Sequence, residues 1–406
     1  MGMRLIFLSP LVLFALLLYL AGSGQVTTLS SAQAGPQLIH WRARDGAFSS
    51  WELHGAELAP DGTVHLSAGA AETKGIFHGD ILSPVIATQP FEEAIASWNV
   101  QTPPGTWIDV ELRVWIGGEA TDWYQMATWT SASSGSIRRQ SIEGQGDDRV
   151  VVNVDTLVLK EGAGRADRVQ LRLRLLSNVA GASPSVQGAA LALSDHRVTN
   201  PPLSTGNPAL WNRALAVPPC SQMVYPDGGE VWCSPTATSM VVGYWRQQAG
   251  DANAAGSCEE RVRHAVDGVY DYVYEGHGNW PFNVAYAATH GLEGYVTRLR
   301  GLDEAEAWIA RGVPIVVSFG WGEGDLDGAP LPQSSGHLAV LSGFDASGNP
   351  IVHDPAAPSD AAVPRAYPRA QFERLWLAHS GGTAYIIAPP AFFDRPLPLY
   401  LPLITR

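Results

Sequence analysis

The chain has 406 residues, 46% of them hydrophobic and 16% charged, which is material for two packed domains and too apolar for a disordered polymer. A formal net charge of -13, with no run of Lys and Arg anywhere, excludes the clustered basic face that a phosphate backbone needs. No nucleic-acid partner is expected.

At the N-terminus, Arg4 precedes an apolar stretch over 5–20, broken only by Ser9-Pro10, and a polar tract then runs to Ala32-Gln33-Ala34. That small-x-small ending is a cleavage pattern, so residues 1–34 are expected to be a signal peptide and the protein to be secreted or held at the cell surface. The competing expectation is an uncleaved anchor over residues 5–20, since roughly 16 apolar residues are marginal for spanning a bilayer. Membrane contact is expected only in that second case. No cysteine follows the apolar run, so nothing supports a lipid-modified terminus.

Residues 36–199 have the texture of an all-β sandwich and a candidate binding module. The runs 107–116 (WIDVELRVWI), 123–129 (WYQMATW), 150–159 (VVVNVDTLVL) and 169–176 (VQLRLRLL) alternate apolar with polar, and Gly, Pro, Asp and Ser cluster between them. Seven tryptophans fall here: Trp41, Trp51, Trp98, Trp107, Trp115, Trp123 and Trp129. They read either as an aromatic platform for a sugar or peptide, or as core; their place inside alternating strands favours core. The stretch 168–174 alternates Arg with Leu, as a half-solvated strand does.

The Pro-, Ser- and Gly-rich segment 200–209 is a linker by composition, and residues 210–395 follow as an α+β domain, with 396–406 a C-terminal tail. In this domain 217–222 is extended and 225–230 is a turn-rich loop feeding a helix from about Ser234. A helix of about four turns after Cys258 aligns Val262, Val266, Val269, Tyr270 and Val273 on one face. Residues 276–279 break it, and Trp280-Pro281 opens a short helix ending near His290-Gly291. Residues 302–311 form another, in which Asp303 and Glu306 have capping-box spacing. Then come a buried strand at 313–319, a long acidic loop at 320–335, and a hairpin of 337–344 and 350–354 turned at 345–349.

Cys233, followed by Ser-Pro and an apolar-periodic run, is a thiol at the mouth of a helix. Unpaired N–H groups and the helix dipole favour its thiolate, the nucleophilic form. An odd count of three cysteines in an exported chain implies a free thiol or an intermolecular link; if Cys220 and Cys258 pair, Cys233 is left over. The bland alternative is a buried, inert cysteine. Counted outward from the hairpin turn, His337 and Asp354 fall near the same open end of the two strands. The chain thus holds a candidate nucleophile in Cys233, a base in His337, an orienting carboxylate in Asp354 and an oxyanion donor in Gln222 with the Cys233 backbone N–H. His353 points to the opposite strand face and is the weaker base. His264, His277, His290 and His379 lack metal-ligand spacing, so neither metal nor cofactor is expected.

Four blocks in order, SQMVYPDGGEVWCSPTATSMVVGYW around Cys233, GNWPFNVAYAATHGL at 278–292, GHLAVLSGF at His337 and IVHDPAA at Asp354, give residues of about 217–389 a family likeness. The segment resembles the C39-like peptidase family, a branch of the papain-like cysteine peptidases. The resemblance implies a papain-like fold, Cys233 as nucleophile, His337 as general base and acid, Asp354 as orienting carboxylate and Gln222 as oxyanion donor, and it favours pairing of Cys220 with Cys258. Two departures from the bacteriocin-processing members stand out. Trp232-Cys233-Ser234-Pro235 replaces their Asp-Cys-Gly block, and Gln222 lies further from the cysteine than theirs does. No transporter or nucleotide-binding segment follows, which speaks against leader processing coupled to export.

The expected activity is amide hydrolysis through a thioester, on a peptide or protein substrate, with cell-wall peptide as one alternative. Trp232, Trp280 and the acidic loop with Glu323, Asp325 and Asp327 are expected to border the cleft. Open alternatives are transamidation by the same triad and a catalytically silent peptide- or glycan-binding protein that keeps the fold.

Overall fold

Alternation of apolar and polar residues builds two antiparallel sheets from the first half of the chain. In Thr106–Ile116 the even positions Ile108, Val110, Leu112 and Val114 are fully buried, while Trp107, Arg113 and Trp115 are partly exposed. The structure is a computed structural model that describes residues 35–135, 137–195, 203–250 and 256–394. The expected signal peptide or anchor, the start of the expected linker and the expected tail lie outside these residues. Among the described residues no helix is long and apolar enough to cross a membrane.

One sheet places Glu93–Gln101 between Thr156–Leu159 and Ser185–Ser194, with Gln37–Arg42 also on Ser185–Ser194. The other places Ala166–Ser177 between Thr106–Ile116 and Ile76–Leu82. The run 150–159 is not one strand. It folds as a hairpin of Val150–Asn153 and Thr156–Leu159, turned at Val154 with φ 54°. A two-residue turn of this kind ordinarily carries Gly or Asn, and a β-branched residue at positive φ is unusual. The turn is held from afar, because the Asp155 carboxylate accepts the Trp280 backbone N–H at 2.8 Å.

The tryptophans divide. Trp41, Trp51, Trp98 and Trp129 are buried, as the core reading expects. Trp107, Trp115 and Trp123 keep part of their surface exposed.

The second half forms a mixed α/β region. Its antiparallel sheet runs Glu293–Arg298, Thr383–Ala388, Ile315–Trp321, Ser334–Phe344, Pro350–His353, Pro364–Ala366. Helices Cys233–Gln248, Cys258–Val269, Trp280–Ala288, Leu302–Ala310 and Arg369–Ser380 surround it. The Cys258 helix starts at a capping box of Ser257 and Glu260 and stops at Val269, so Tyr270 and Val273 lie beyond it. The Asp271 carboxylate accepts the N–H groups of Val273 and Tyr274, a local turn that competes with the helix. At Leu302–Ala310 the expected capping box is absent. Gly301 caps it without a side-chain bond, and Glu373 accepts the Leu302 N–H at 2.8 Å. Glu306 instead accepts from Asn207 N, Trp211 Nε1 and Arg369 Nη1, each at 2.7 Å. That contact, and Arg369 donating to Ser204 Oγ at 2.9 Å, tie the described part of the expected linker to the α/β region.

The described residues of the two regions pack together as one unit. Glu293–Arg298 is the edge strand of the α/β sheet, and an uncovered edge is a row of unpaired backbone groups. Side chains of Glu93–Gln101 cover it. Asn99 accepts the Gly294 N–H at 2.9 Å and donates to the Gly294 carbonyl at 3.0 Å, and Ser97 Oγ accepts the Val296 N–H at 2.9 Å. Arg42 donates to Glu293 at 2.6 Å, and Arg298 pairs with Glu93.

Candidate active site

Cys233 is the first residue of its helix, and Trp232, at the N-cap, makes no side-chain capping bond. The first-turn N–H groups and the dipole they carry therefore face the half-buried thiol. The helix is fixed from two sides: Ser234 Oγ lies 3.1 Å from Tyr385 Oη, and Thr238 donates to Asn283 at 3.2 Å. Cys220 and Cys258 form a disulfide with Cα atoms 5.6 Å apart, leaving Cys233 free.

His337 sits in Ser334–Phe344, opposite Phe319 of Ile315–Trp321. The Phe319 and Trp321 rings meet its imidazole edge-on at 5.5 and 5.6 Å, which sets the ring plane. Its Nε2 lies 2.8 Å from Asp354 Oδ1, and both side chains are buried. Asp354 also accepts the Ala356 N–H at 2.9 Å, and Tyr367 donates its hydroxyl to Asp354 Oδ2 at 2.5 Å. The Cys233 thiol interacts electrostatically with the same imidazole.

Burial opposes charge on each of these groups, and their neighbours reverse it. For Cys233, burial raises the thiol pKa, but the His337 hydrogen bond and charge, with the Leu338 and Ser234 N–H groups, bring it below the ordinary value. For His337, burial lowers the pKa, but Asp354 and the thiolate raise it to about 10. Asp354, which burial alone would raise, is held below the carboxylate range by His337, Tyr367 and the Ala356 N–H. Each group is thus shifted toward its charged form: the thiol toward thiolate, the imidazole toward imidazolium and the carboxyl toward carboxylate.

Gln222 is 2% exposed, on a segment tied to the Asp354 loop by its backbone N–H bonding the Pro355 carbonyl at 2.8 Å. Its Nε2 donates to the Gly229 carbonyl at 2.7 Å, so one amide N–H is committed within the protein. Trp232 is 6% exposed and packs on Tyr225 and His277, with the Arg263 guanidinium 5.8 Å from its ring; it is wall, not open surface. Trp280 is half-buried against the shared core, with its N–H on Asp155. The acidic loop folds back: Leu326 is buried, and Asp327 bonds Gln371 at 2.9 Å. His353 bonds Ser342 Oγ at 3.0 Å, and burial lowers its pKa to about 4. Tyr367 was not among the sequence candidates. Its only local signal is a Tyr-Pro pair after a turn, and its role depends on Asp354 coming back to meet it.

Comparisons with known proteins match both regions. Residues 38–194 match the Peptidase C39 N-terminal domain, and residues 214–384 match the Peptidase_C39 like family. No curated protein matches. Among solved structures, one described as a C39-like peptidase from Bacillus anthracis is 17% identical, covering 42% of this chain and 94% of that one at a TM-score of 0.29. TmCBM61 in complex with beta-1,4-galactotriose is 11% identical, covering 37% of this chain and 92% of that one at a TM-score of 0.22. The second N-terminal cellulose-binding domain of Cellulomonas fimi beta-1,4-glucanase C is 14% identical, covering 40% and 96% at a TM-score of 0.18. With a C39 N-terminal domain match followed by a C39-like match, in the order the sequence blocks run, residues 214–384 belong to the C39-like peptidase family.

Proposed function

We propose that the protein is an exported cysteine peptidase whose second half is a papain-like hydrolase, cutting amide bonds through Cys233, His337 and Asp354. One observation carries the reading: the His337 imidazole, which interacts electrostatically with the Cys233 thiol, is held at 2.8 Å by the Asp354 carboxylate, which in turn accepts the Tyr367 hydroxyl. Cys233 thiolate attacks the amide carbonyl, and the carbonyl electrons move to oxygen. The Cys233 backbone N–H and the second amide N–H of Gln222 stabilise that oxyanion. His337 imidazolium gives its proton to the leaving amine as the C–N bond breaks, leaving a thioester. Neutral His337 then takes a proton from water, whose oxygen attacks the thioester; the acid leaves and the thiolate returns. Asp354, held by Tyr367 and Ala356, keeps the imidazole oriented through the cycle.

An exported enzyme of this kind meets peptides outside the cell, cell-wall peptides among them. The test is turnover of a fluorogenic peptide library by purified protein. Cys233→Ala is expected to abolish it, and amide hydrolysis surviving in that variant would end the reading.

A further inference from the structure

Of the two sheets in the first half, one turns its outer side chains onto the α/β region through Ser97 and Asn99. The outer face of the other carries a different surface. Across the pairing of Thr106–Ile116 with Ala166–Ser177, Trp115 lies opposite Arg168, Arg113 opposite Gln170, Glu111 opposite Arg172 and Asp109 opposite Arg174. Trp123 leans over this row. The Arg172 and Arg113 guanidinium carbons lie 4.4 and 4.6 Å from its ring centre, and those of Arg113 and Arg168 lie 5.0 and 5.9 Å from that of Trp115. Rings and guanidinium groups alternate as one ladder, each fixing the next.

The hydrogen bonds of the ladder leave donors unspent. Arg113 donates Nε and Nη2 to Gln170 Oε1, at 2.9 and 2.6 Å. Arg172 uses Nε on Glu111, Arg174 uses Nε on Asp80, and Arg168 uses Nε on Asp167. Among the described residues, Arg113 Nη1 and both Nη groups of the other three have no hydrogen-bond partner. Charge decides what they suit. The guanidinium groups are matched by Asp80, Asp109, Glu111 and Asp167, so the face offers a polyanion no net field. Planar donors and carboxylate acceptors beside partly exposed indoles suit a ligand that is uncharged, rich in hydroxyls and flat-sided.

We propose that this face binds a neutral polysaccharide, with ring C–H faces against Trp107, Trp115 and Trp123 and hydroxyls bonded by Arg113 and Arg172. The ladder holds these side chains in place before a ligand arrives, which reduces the entropy lost on binding. The site is separate from Cys233 and stands or falls independently of peptidase activity.

The test is native electrophoresis of the full chain through gels containing hydroxyethylcellulose or galactan, with heparin as the anionic comparison. At least one neutral polymer is expected to retard the protein. Trp115→Ala and Arg113→Gln are each expected to weaken that retardation about tenfold, with Cys233 alkylation unchanged as the readout of an intact fold. If Trp115→Ala does not fold, Arg113→Gln alone decides. No retardation by any neutral polymer, retardation by heparin alone, or unchanged binding in the folded variants would overturn the proposal.

Discussion

Cys233 and His337 pull each other's titration in opposite directions. The thiol lies below its ordinary value and the imidazole is raised to about 10, so alkylation should rise through the depressed thiol pKa and hold until His337 loses its proton. In His337→Ala only burial and the backbone donors act on the thiol. Its labelling by iodoacetamide at pH 7 should fall by about tenfold or more, with the profile displaced to higher pH; equal labelling in parent and variant would contradict the ion pair. Tyr367→Phe keeps the ring stacked on Phe372 and removes only the donor to Asp354. A hydrogen bond to a charged group is worth roughly 1.5–3 kcal/mol, so urea denaturation should show a loss of that order. The placement of Cys233 at a helix start, and of His337 and Asp354 at one end of a hairpin, was legible because Ser-Pro marks a helix start and the hairpin turn lets its ends be counted. Tyr367 was not, since a buried donor to a carboxylate leaves no local pattern.

At the scale of elements, the hairpin at Val154-Asp155 meets the helix Trp280–Ala288. Burial raises Asp155 to about 6, against the hydrogen bonds from Trp280 N and Thr156 that favour its charge. A folded pKa above the unfolded 3.8 means that the folded state binds this proton more tightly. The contribution to stability is greatest below the unfolded value and is lost as pH rises through about 6. Asp155→Asn keeps an oxygen for the Trp280 N–H and removes the buried charge. It should be more stable than the parent at pH 8 by about 2–3 kcal/mol, with the gap closing as pH falls below the unfolded carboxylate range. Urea midpoints across pH would show this, and a gap independent of pH would count against it. Alternation identified the strands at Thr106–Ile116, Tyr124–Trp129 and Ala166–Ser177 but not Glu93–Gln101 or Ser185–Ser194, and VVVNVDTLVL hides a turn without glycine. Likewise the cap of Leu302 comes from Glu373, distant along the chain, and not from Asp303.

At the scale of the whole molecule, a change of texture near residue 200 separates an all-β half from a mixed half, and that much was readable. Their fusion was not, because Asn99 and Ser97 bond backbone groups, which carry no sequence signature. Asn99→Ala strands the N–H and carbonyl of Gly294 away from water, at a cost of about 2–4 kcal/mol. Thermal unfolding followed by near-UV and far-UV circular dichroism should still give coincident transitions, shifted down together, whereas separate transitions would mean that the halves melt independently.

The seal on Glu293–Arg298 also bears on how the molecule is made. The all-β half leaves the ribosome first, and domains generally fold as units in that order during synthesis. Its ledge of Ser97 and Asn99 is then ready when the later strand emerges, so that strand docks on a finished template instead of waiting bare for a partner. A circular permutant that translates the α/β half first would lose this head start, and its nascent chains would meet one another along the unsealed strand before their own cover arrives.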